Sequence, residues 1–390
     1  MVGVDELSFL VIVALATLAG LITTFLAPRL AIPVVVVELA LGIVVGPQVL
    51  DVAQLDDFTR FFGTLGLGML FFFAGYEIDF ARIRGRPLAL AALAWTLSLA
   101  LAYGAGGVLA LAGVVISLLY TGSALATTAI GTLIPILRDA GEVRTRFGGY
   151  LLAAGALGEF GPIVLITLVL AGGQPLHEAA ILAGFVAVAV LTGVFAVRST
   201  TRGWPLLERT FEASSQLAVR LAVLLVFGLV ALASELGLDL LLGGFVAGLI
   251  VRQALAAREV PVFDSKITAL GYGFLIPFFF VTSGMAFDGE ALISSASALL
   301  KLPLFLGLFL LVRGLPALLL YRRELPARRD RGALAFYCST QLPLVVAITT
   351  LAVDQGDMRA STSAALVGAA MLSTLIFPLV AMALRRPALA

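Results

Sequence analysis

Glu159 is the residue of this chain whose type and position are best suited to chemistry. It lies near the middle of an apolar segment at 147–171, with Gly158 before it and Gly161 and Pro162 after it. An ionisable side chain in the middle of a segment long enough to cross a membrane is costly, so it indicates a function. A carboxyl group withdrawn from water can hold a proton or, as the carboxylate, a cation, but not both at once. A carboxylate locked in a structural ion pair is the alternative.

Two other segments carry residues that interrupt helices, because proline removes a backbone donor and glycine loosens a helix. The expected breaks lie at Thr127, Thr128, Gly131 and Pro135 in 114–137, at Thr340, Gln341 and Pro343 in 331–353, and at Gly158 beside the acid. Freed carbonyls and the side-chain oxygens of Thr127, Thr128, Thr340 and Gln341 could coordinate a small cation. Two kinks adapted to lipid, with each threonine bonded back to its own helix, are the alternative.

Arg313 is the basic residue placed deepest in an apolar segment, at 297–320. It is too far from the segment's end to reach the headgroups easily, so we expect it to pair with another group. Glu159 and the carbonyl ends of the broken helices are both possible partners. A structural role and a part in ion exchange remain open for Arg313. For Glu38 in the segment 31–48 a structural role in helix packing is expected, with a role in access to the site as the alternative.

Composition shows which solvent surrounds these residues. The chain is 61% apolar and only 13% charged, whereas soluble domains carry about 25% charged residues. Lipid is the consistent solvent, and we predict about thirteen membrane-spanning helices, each near the length that crosses the hydrocarbon core. Their approximate limits are 7–26, 31–48, 61–79, 88–112, 114–137, 147–171, 179–197, 217–235, 240–256, 267–286, 297–320, 331–353 and 361–384.

Charge outside the segments predicts orientation and excludes several partners. Most of the 25 basic residues fall in loops that face the cytoplasm if the N-terminus is outside and the C-terminus inside. The expected location is a bacterial inner membrane. The basic clusters are interpreted as signals that set this orientation, and binding of lipid headgroups is the alternative. The net charge of +1 argues against nucleic acid, and one cysteine with one histidine argues against a resident metal site. We expect no cofactor and no soluble regulatory domain.

An internal repeat is predicted from two motifs. A triple phenylalanine occurs at 71–73 and at 278–280, and a pair of glycines occurs at 42 and 46 and at 244 and 248. Both motifs recur at an offset of about 205 residues, seven predicted spans apart, so the copies cross the membrane in opposite directions. The prediction is one membrane domain at 1–390, built from a repeat at about 7–171, a linking helix at about 179–197 and an inverted repeat at about 217–384. Such repeats place the substrate near the midplane between two discontinuous helices.

These motifs, taken in order, resemble a known family over nearly the whole chain. The matching stretches are Arg29 to Pro33 with Glu38 and Gly46-Pro47, Leu65 to Asp79, Gly243 to Gly248, and Phe278 to Asp288. They are similar to the monovalent cation:proton antiporter superfamily, in particular to its second subfamily, which includes the Kef-like and NapA-like transporters.

The resemblance implies an all-α polytopic fold and a homodimer, with two crossed, discontinuous helices in a core half. The family's usual Asp-Asp or Asn-Asp pair corresponds here to Gly158-Glu159, so Glu159 takes the essential acid position and Gly158 replaces a polar residue. Its unwound helix resembles Thr127-Thr128, and its basic core residue matches Arg313. One carboxylate in place of two leads to the hypothesis of one proton per cation.

The resulting expectation is a Na⁺ or K⁺/H⁺ antiporter, not an enzyme, that works by alternating access in the lipid bilayer. Glu159 would bind the cation and the proton in competition, with no metal other than the transported cation. The alternatives are a proton-coupled transporter of another solute, a passive channel and a relative that does not transport.

Overall fold

The structure is a computed structural model that describes residues 5–26, 33–78, 83–169, 175–238, 240–255, 260–293 and 296–385. Throughout these residues the regular structure is helical, with no strand. The first eight helices are α1 (Glu6–Leu26), α2 (Val34–Val45), α3 (Asp57–Tyr76), α4 (Arg86–Leu111), α5 (Leu118–Leu125), α6 (Ile130–Asp139), α7 (Arg146–Val169) and α8 (Pro175–Thr210). The others are α9 (Leu217–Glu235), α10 (Leu240–Leu255), α11 (Pro261–Met285), α12 (Gly289–Ile293), α13 (Ala296–Leu320), α14 (Arg328–Cys338), α15 (Pro343–Asp354) and α16 (Ala360–Arg385).

Ten helical stretches in the described residues are long and apolar enough to cross a membrane. The chain is therefore a multi-pass membrane protein with an all-helical fold. Three shorter apolar stretches, Val34–Val45, Leu118–Ile134 and Leu240–Leu255, lie where further spans were predicted. The number thirteen stays a prediction, because these three are shorter than the length that identifies a span.

Two of the long helices contain a π-helical turn. The first is at Gly271–Leu275 in α11, and the second is at Leu310–Gly314 in α13. Such turns insert a residue into the regular helical ladder and are often found at functional sites. The second turn holds Arg313, so it sets the direction in which the guanidinium leaves the helix.

Contacts divide the chain into two compact units whose segments alternate along the sequence. Unit 1 comprises residues 1–9, 56–80 and 163–279, and unit 2 comprises 10–55, 81–162 and 280–390. Each predicted repeat contributes to both units, so a unit is not the same thing as a repeat.

Unit 1 is held together by close backbone packing of α3 against α10. A Cβ atom added to Gly75 would lie 2.0 Å from the carbonyl oxygen of Phe245, and one added to Gly248 would lie 2.0 Å from that of Phe72. Only glycine permits such an approach. Aromatic rings pack near one end of this unit, with ring centroids of Phe9 and Phe62 5.4 Å apart.

Unit 2 contains a similar close crossing, between α2 and the end of α11. A Cβ atom on Gly42 would lie 2.2 Å from the carbonyl oxygen of Val281, and one on Gly284 would lie 2.2 Å from that of Leu39. Unit 1 thus joins the third and ninth predicted spans, and unit 2 joins the second and tenth. An inverted repeat relating spans two and three to nine and ten would produce this pair of contacts, although the repeat boundaries remain a prediction.

Candidate ion-binding site

Two interrupted helices lie in unit 2. In the first, helix α5 ends at Leu125 and α6 begins at Ile130. In the second, α14 ends at Cys338 and α15 begins at Pro343. Proline is well suited to the first turn of a helix, because its missing N–H would have no intrahelical acceptor there. We call the residues 126–129 the first break and 339–342 the second break.

The two breaks bond directly to each other. The backbone N–H of Ala129 donates to the carbonyl of Thr340 at 2.8 Å, and the Thr127 hydroxyl donates to Gln341 Oε1 at 2.9 Å. Gln341 Nε2 in turn donates to the carbonyl of Leu125 at 3.1 Å. Backbone groups freed by unwinding have to be satisfied inside the protein when water is excluded. The hydrogen bonds between the two breaks, where they cross, satisfy part of these backbone groups.

Helix α16 supports the second break from one side. The Ser373 and Thr374 hydroxyls each donate to the carbonyl of Gln341 at 3.0 Å. The backbone N–H of Gln341 donates to Ser373 Oγ at 3.0 Å. These bonds fix the backbone at Gln341, so its side chain is directed to the first break.

Glu159 lies on α7 and is almost fully buried, with 1% of its surface exposed. The backbone N–H of Gly131, in the first turn of α6, bonds to the carboxyl group. The second carboxyl oxygen, Oε2, is buried and has no hydrogen-bond partner among the residues that the structure describes. A buried oxygen without a partner is rare because its desolvation is not compensated. It therefore marks a position where a proton or a cation would be stabilised.

Pro162 frees a carbonyl group of α7 that bonds to the first break. In a regular helix the carbonyl of Gly158 would accept a hydrogen bond from the N–H of residue 162, and proline has none. The freed carbonyl instead accepts the backbone N–H of Thr128 at 3.0 Å. This proline therefore fixes the first break beside Glu159 without breaking its own helix.

Arg313 is buried, with 4% of its surface exposed, and each of its three guanidinium nitrogens donates a hydrogen bond. Its Nε donates to Thr128 Oγ1 at 2.9 Å, its Nη1 to Ser98 Oγ at 3.3 Å, and its Nη2 to the carbonyl of Ala154 at 3.1 Å. Within the described residues it forms no ion pair with Glu159. The Thr128 hydroxyl donates onward to the carbonyl of Cys338, so this one hydroxyl joins Arg313 and the first break to the last residue of α14, just before the second break.

Gly158 provides the space for Arg313. A Cβ atom at this position would lie 2.4 Å from Arg313 Nη2 and 2.7 Å from Thr128 Oγ1. The prediction that Gly158 marks a helix break is wrong, because α7 is continuous from Arg146 to Val169. The residue is small because the guanidinium lies against it.

The other predicted residues are distributed as follows. Thr127 and Gln341 bond to each other at the crossing, and the Thr128 hydroxyl bonds to the carbonyl of Cys338. Thr340 contributes its carbonyl, while its hydroxyl bonds back to Phe336 in its own helix at 3.2 Å. Gly131 lies just after the first break, and the backbone at Pro135 is helical within α6, so Pro135 does not interrupt the helix.

Sequence reasoning did not identify Ser98, the carbonyl of Ala154, Ser373 or Thr374. The serine and threonine side chains among them gave no distinct signal, since serine and threonine are common in membrane helices, where they bond to their own backbone.

The arrangement is suited to a small, hard cation. Carboxylate, hydroxyl, amide and carbonyl oxygens are the ligands that such ions prefer. The described residues contain no group of three or more His, Cys, Asp or Glu side chains that could hold a metal ion. Glu159 is consequently the acid of a site that otherwise consists of neutral oxygens, with a fixed positive charge at Arg313.

The fold and this site define a class, the multi-pass membrane proteins with a buried acid beside two crossed, discontinuous helices. The sequence profile of the family described as "Sodium/hydrogen exchanger, transmembrane" matches residues 13–383. The chain belongs to this family.

Similar proteins agree with this assignment. The chain is 27% identical to the putative Na⁺/H⁺ antiporter YjbQ of Bacillus subtilis, over 92% of its own length and 61% of that relative. It is 26% identical to the Na⁺/H⁺-K⁺ antiporter GerN of Bacillus cereus, over 73% of each protein. It thus spans about three fifths of the length of the first of these relatives.

A solved structure has the same fold. The sodium proton antiporter MjNhaP1 of Methanocaldococcus jannaschii matches with a TM-score of 0.68 at 17% sequence identity, over 97% of this chain and 98% of that one. At this identity the match establishes the fold alone.

Proposed function

We propose that this protein exchanges a monovalent cation, Na⁺ or K⁺, for protons, and that Glu159 binds the two ions in competition. The observation that carries the proposal is the unpartnered Oε2 of Glu159, buried beside the crossing of two broken helices. Membership of the sodium/hydrogen exchanger family and the names of the similar antiporters support the reaction.

The cycle follows from the groups present. Deprotonated Glu159 would bind the cation with oxygens of Thr127, Thr128, Thr340 or Gln341, and protonation would release it on the other side of the membrane. Arg313 would hold Thr128 in place and balance the charge of the empty, deprotonated site. Since Glu159 is the one buried acid at this crossing among the described residues, we expect one proton for each cation and electroneutral exchange.

The wider assembly is part of the same proposal. We expect alternating access by movement between an ion-binding part and a scaffold, as in other inverted-repeat transporters. We also expect a homodimer in the bacterial inner membrane, with the N-terminus outside and the C-terminus in the cytoplasm. Cysteine labelling from each side of the membrane would test that orientation.

The direct test is proton flux in proteoliposomes with a lumenal pH dye. Addition of Na⁺, K⁺ or Li⁺ against an imposed gradient should alkalinise the lumen with wild-type protein, and Glu159→Gln should reduce the signal to that of protein-free liposomes. Glu38→Gln, at the membrane-buried carboxyl group of α2, is the matched control and should retain exchange. Absence of flux with any cation, in folded wild-type protein, would refute the antiporter.

A further inference from the structure

A cavity away from the crossing lies where α13 ends and α14 begins. It is open to the surface on one side, has a volume of about 470 Å³ and is lined by Leu318, Arg322, Arg328 and Arg331. Three guanidinium groups around one cavity repel one another unless an anion lies between them. Proteins use arginine in this way to bind phosphate, because its planar group donates two parallel hydrogen bonds.

The three arginines differ in the hydrogen bonds that the protein itself provides to their guanidinium groups. Arg331 Nη1 donates to the carbonyls of Leu325 and Pro326, at 3.0 and 2.9 Å, and so holds the linker between the helices. Arg322 and Arg328 are exposed and form no hydrogen bond or ion pair with any residue that the structure describes. Two positive charges of the cavity are therefore free.

The acidic residues nearest in sequence are committed elsewhere. Glu324 bonds to Arg86 and Arg146, and Asp330 bonds to Arg385 Nη1 at 2.7 Å. Neither carboxylate is thus left to neutralise the cavity.

The position of the cavity indicates what the anion is. The apolar stretch of α13 ends at Leu320, and the next membrane-spanning stretch begins at Arg328. The arginines consequently lie at the end of two successive spans, where headgroups are found, and Leu318 extends the lining to the exposed apolar face of α13. A soluble phosphate would satisfy the same guanidinium groups but gives no reason for the apolar edge.

We propose that this cavity binds the phosphate headgroup of an anionic phospholipid. Arg322 and Arg328 contact the phosphate, Arg331 shapes the cavity wall, and Leu318 packs against the lipid's glycerol and upper acyl carbons. The lipid then joins α13, which carries Arg313, to α14, which leads into the second break. Binding at this cavity does not depend on the exchange reaction.

The experiment compares two pairs of arginines in delipidated protein in detergent, with phosphatidylglycerol as probe and phosphatidylcholine as the neutral reference. Bound lipid is measured by native mass spectrometry and by thermal stabilisation. Each arginine near an anionic headgroup contributes about 1 kcal/mol, so the double variant R322Q/R328Q should weaken binding roughly 30-fold. The matched control R323Q/R329Q removes the same charge from the neighbouring exposed positions outside the cavity and should weaken binding less than about threefold.

Two further arms separate the possible sources of the phosphate. Inorganic phosphate alone should give none of the thermal stabilisation that phosphatidylglycerol gives. The variant R322K/R328K keeps the charge but loses the paired geometry, and should bind with intermediate affinity. Equal weakening by both double Gln variants would mean a diffuse basic surface and would overturn the proposal. Stabilisation by inorganic phosphate equal to that by the lipid would overturn it as well.

Discussion

Unit 1 and unit 2 differ in how their buried helices are joined. Among the described residues, the fully buried polar side chains of unit 1 are Ser8 and Thr59, and all the buried charged side chains belong to unit 2. These are Glu38, Glu159, Lys301, Arg313 and Glu324. Unit 1 is held by glycine-mediated contact of continuous helices, whereas unit 2 adds two breaks whose polar groups bond to one another. An ion site requires polar groups held in place by hydrogen bonds, so unit 2 is the unit that contains the candidate site.

The largest effect is expected from Gly248→Ala in unit 1. The added methyl group would lie 2.0 Å from a backbone oxygen of α3, so the two helices must move apart. Overpacking of this kind costs about 3 kcal/mol, and a denaturant titration in detergent measures it. Gly228→Ala on α9 is the control, because its methyl group meets nothing within 4 Å. Equal stability of the two variants would show that unit 1 does not depend on the close crossing.

The next largest effect is expected on transport, from Gly158→Ala in unit 2. The new methyl group displaces the Arg313 guanidinium and Thr128, and misplacement by about 1 Å at such a site can reduce turnover roughly 10-fold or more. The measurement is exchange rate in proteoliposomes alongside unfolding. The control is Gly149→Ala on the same helix, which has open space around it. If Gly158→Ala retains wild-type exchange, the position of Arg313 is not important for transport.

A smaller effect is expected at the crossing itself, where Thr127 and Gln341 can be tested as a pair. The variants Thr127→Val and Gln341→Ala, alone and together, form a double-mutant cycle on unfolding free energy. A hydrogen bond between membrane helices contributes about 1 kcal/mol, so the coupling should have that size. If the two substitutions change the free energy of unfolding additively, the hydrogen bond between Thr127 and Gln341 does not stabilise the crossing in unit 2.

The smallest effect is expected at Glu324, in the linker of unit 2 outside the spans. The hydrogen bond from Arg86 lowers the pKa of this carboxyl group below its ordinary value of 4.5. A carboxyl group with a lowered pKa stabilises the fold above its ordinary pKa, and the stabilisation is lost as pH falls through the lowered value. The melting temperature of wild type should therefore be higher than that of Glu324→Gln at pH 7, and the difference between the two melting temperatures should shrink below about pH 4.

A matched control keeps that last comparison specific. Glu290→Gln, on the exposed short helix α12, should melt like wild type at both pH values. A difference between wild type and Glu324→Gln that persists unchanged into acid would show that the stabilisation does not come from the ionised carboxylate.

Much of the fold could be predicted from the sequence because lipid imposes strong constraints. Long apolar stretches identify the spans, and the breaks near Thr127 and before Pro343 lie where the structure has them. Breaks are readable because proline and glycine act locally. The π-helical turn around Arg313 was not readable, since it depends on how α13 packs against its neighbours.

The bonding within the site was less predictable for the same reason. The sequence offers Glu159 or the carbonyl ends of the broken helices as partners of Arg313, whereas the guanidinium bonds to the Thr128 side chain, to Ser98 and to the carbonyl of Ala154. Gly158 was interpreted as a break, whereas its role is to make room for that guanidinium. Both differences concern contacts between helices far apart in sequence, which a single sequence does not encode in any local pattern.

The central claim, that Glu159 holds a proton or a cation but not both, is tested most directly by proton release on cation binding. Purified protein in weakly buffered detergent receives saturating Na⁺ or K⁺ near neutral pH, and bound cation and released protons are measured together. The account predicts about one proton released per cation bound by wild type, because one carboxyl group serves both ions, and none from Glu159→Gln. Cation binding without proton release, or equal release by Glu159→Gln, would contradict it.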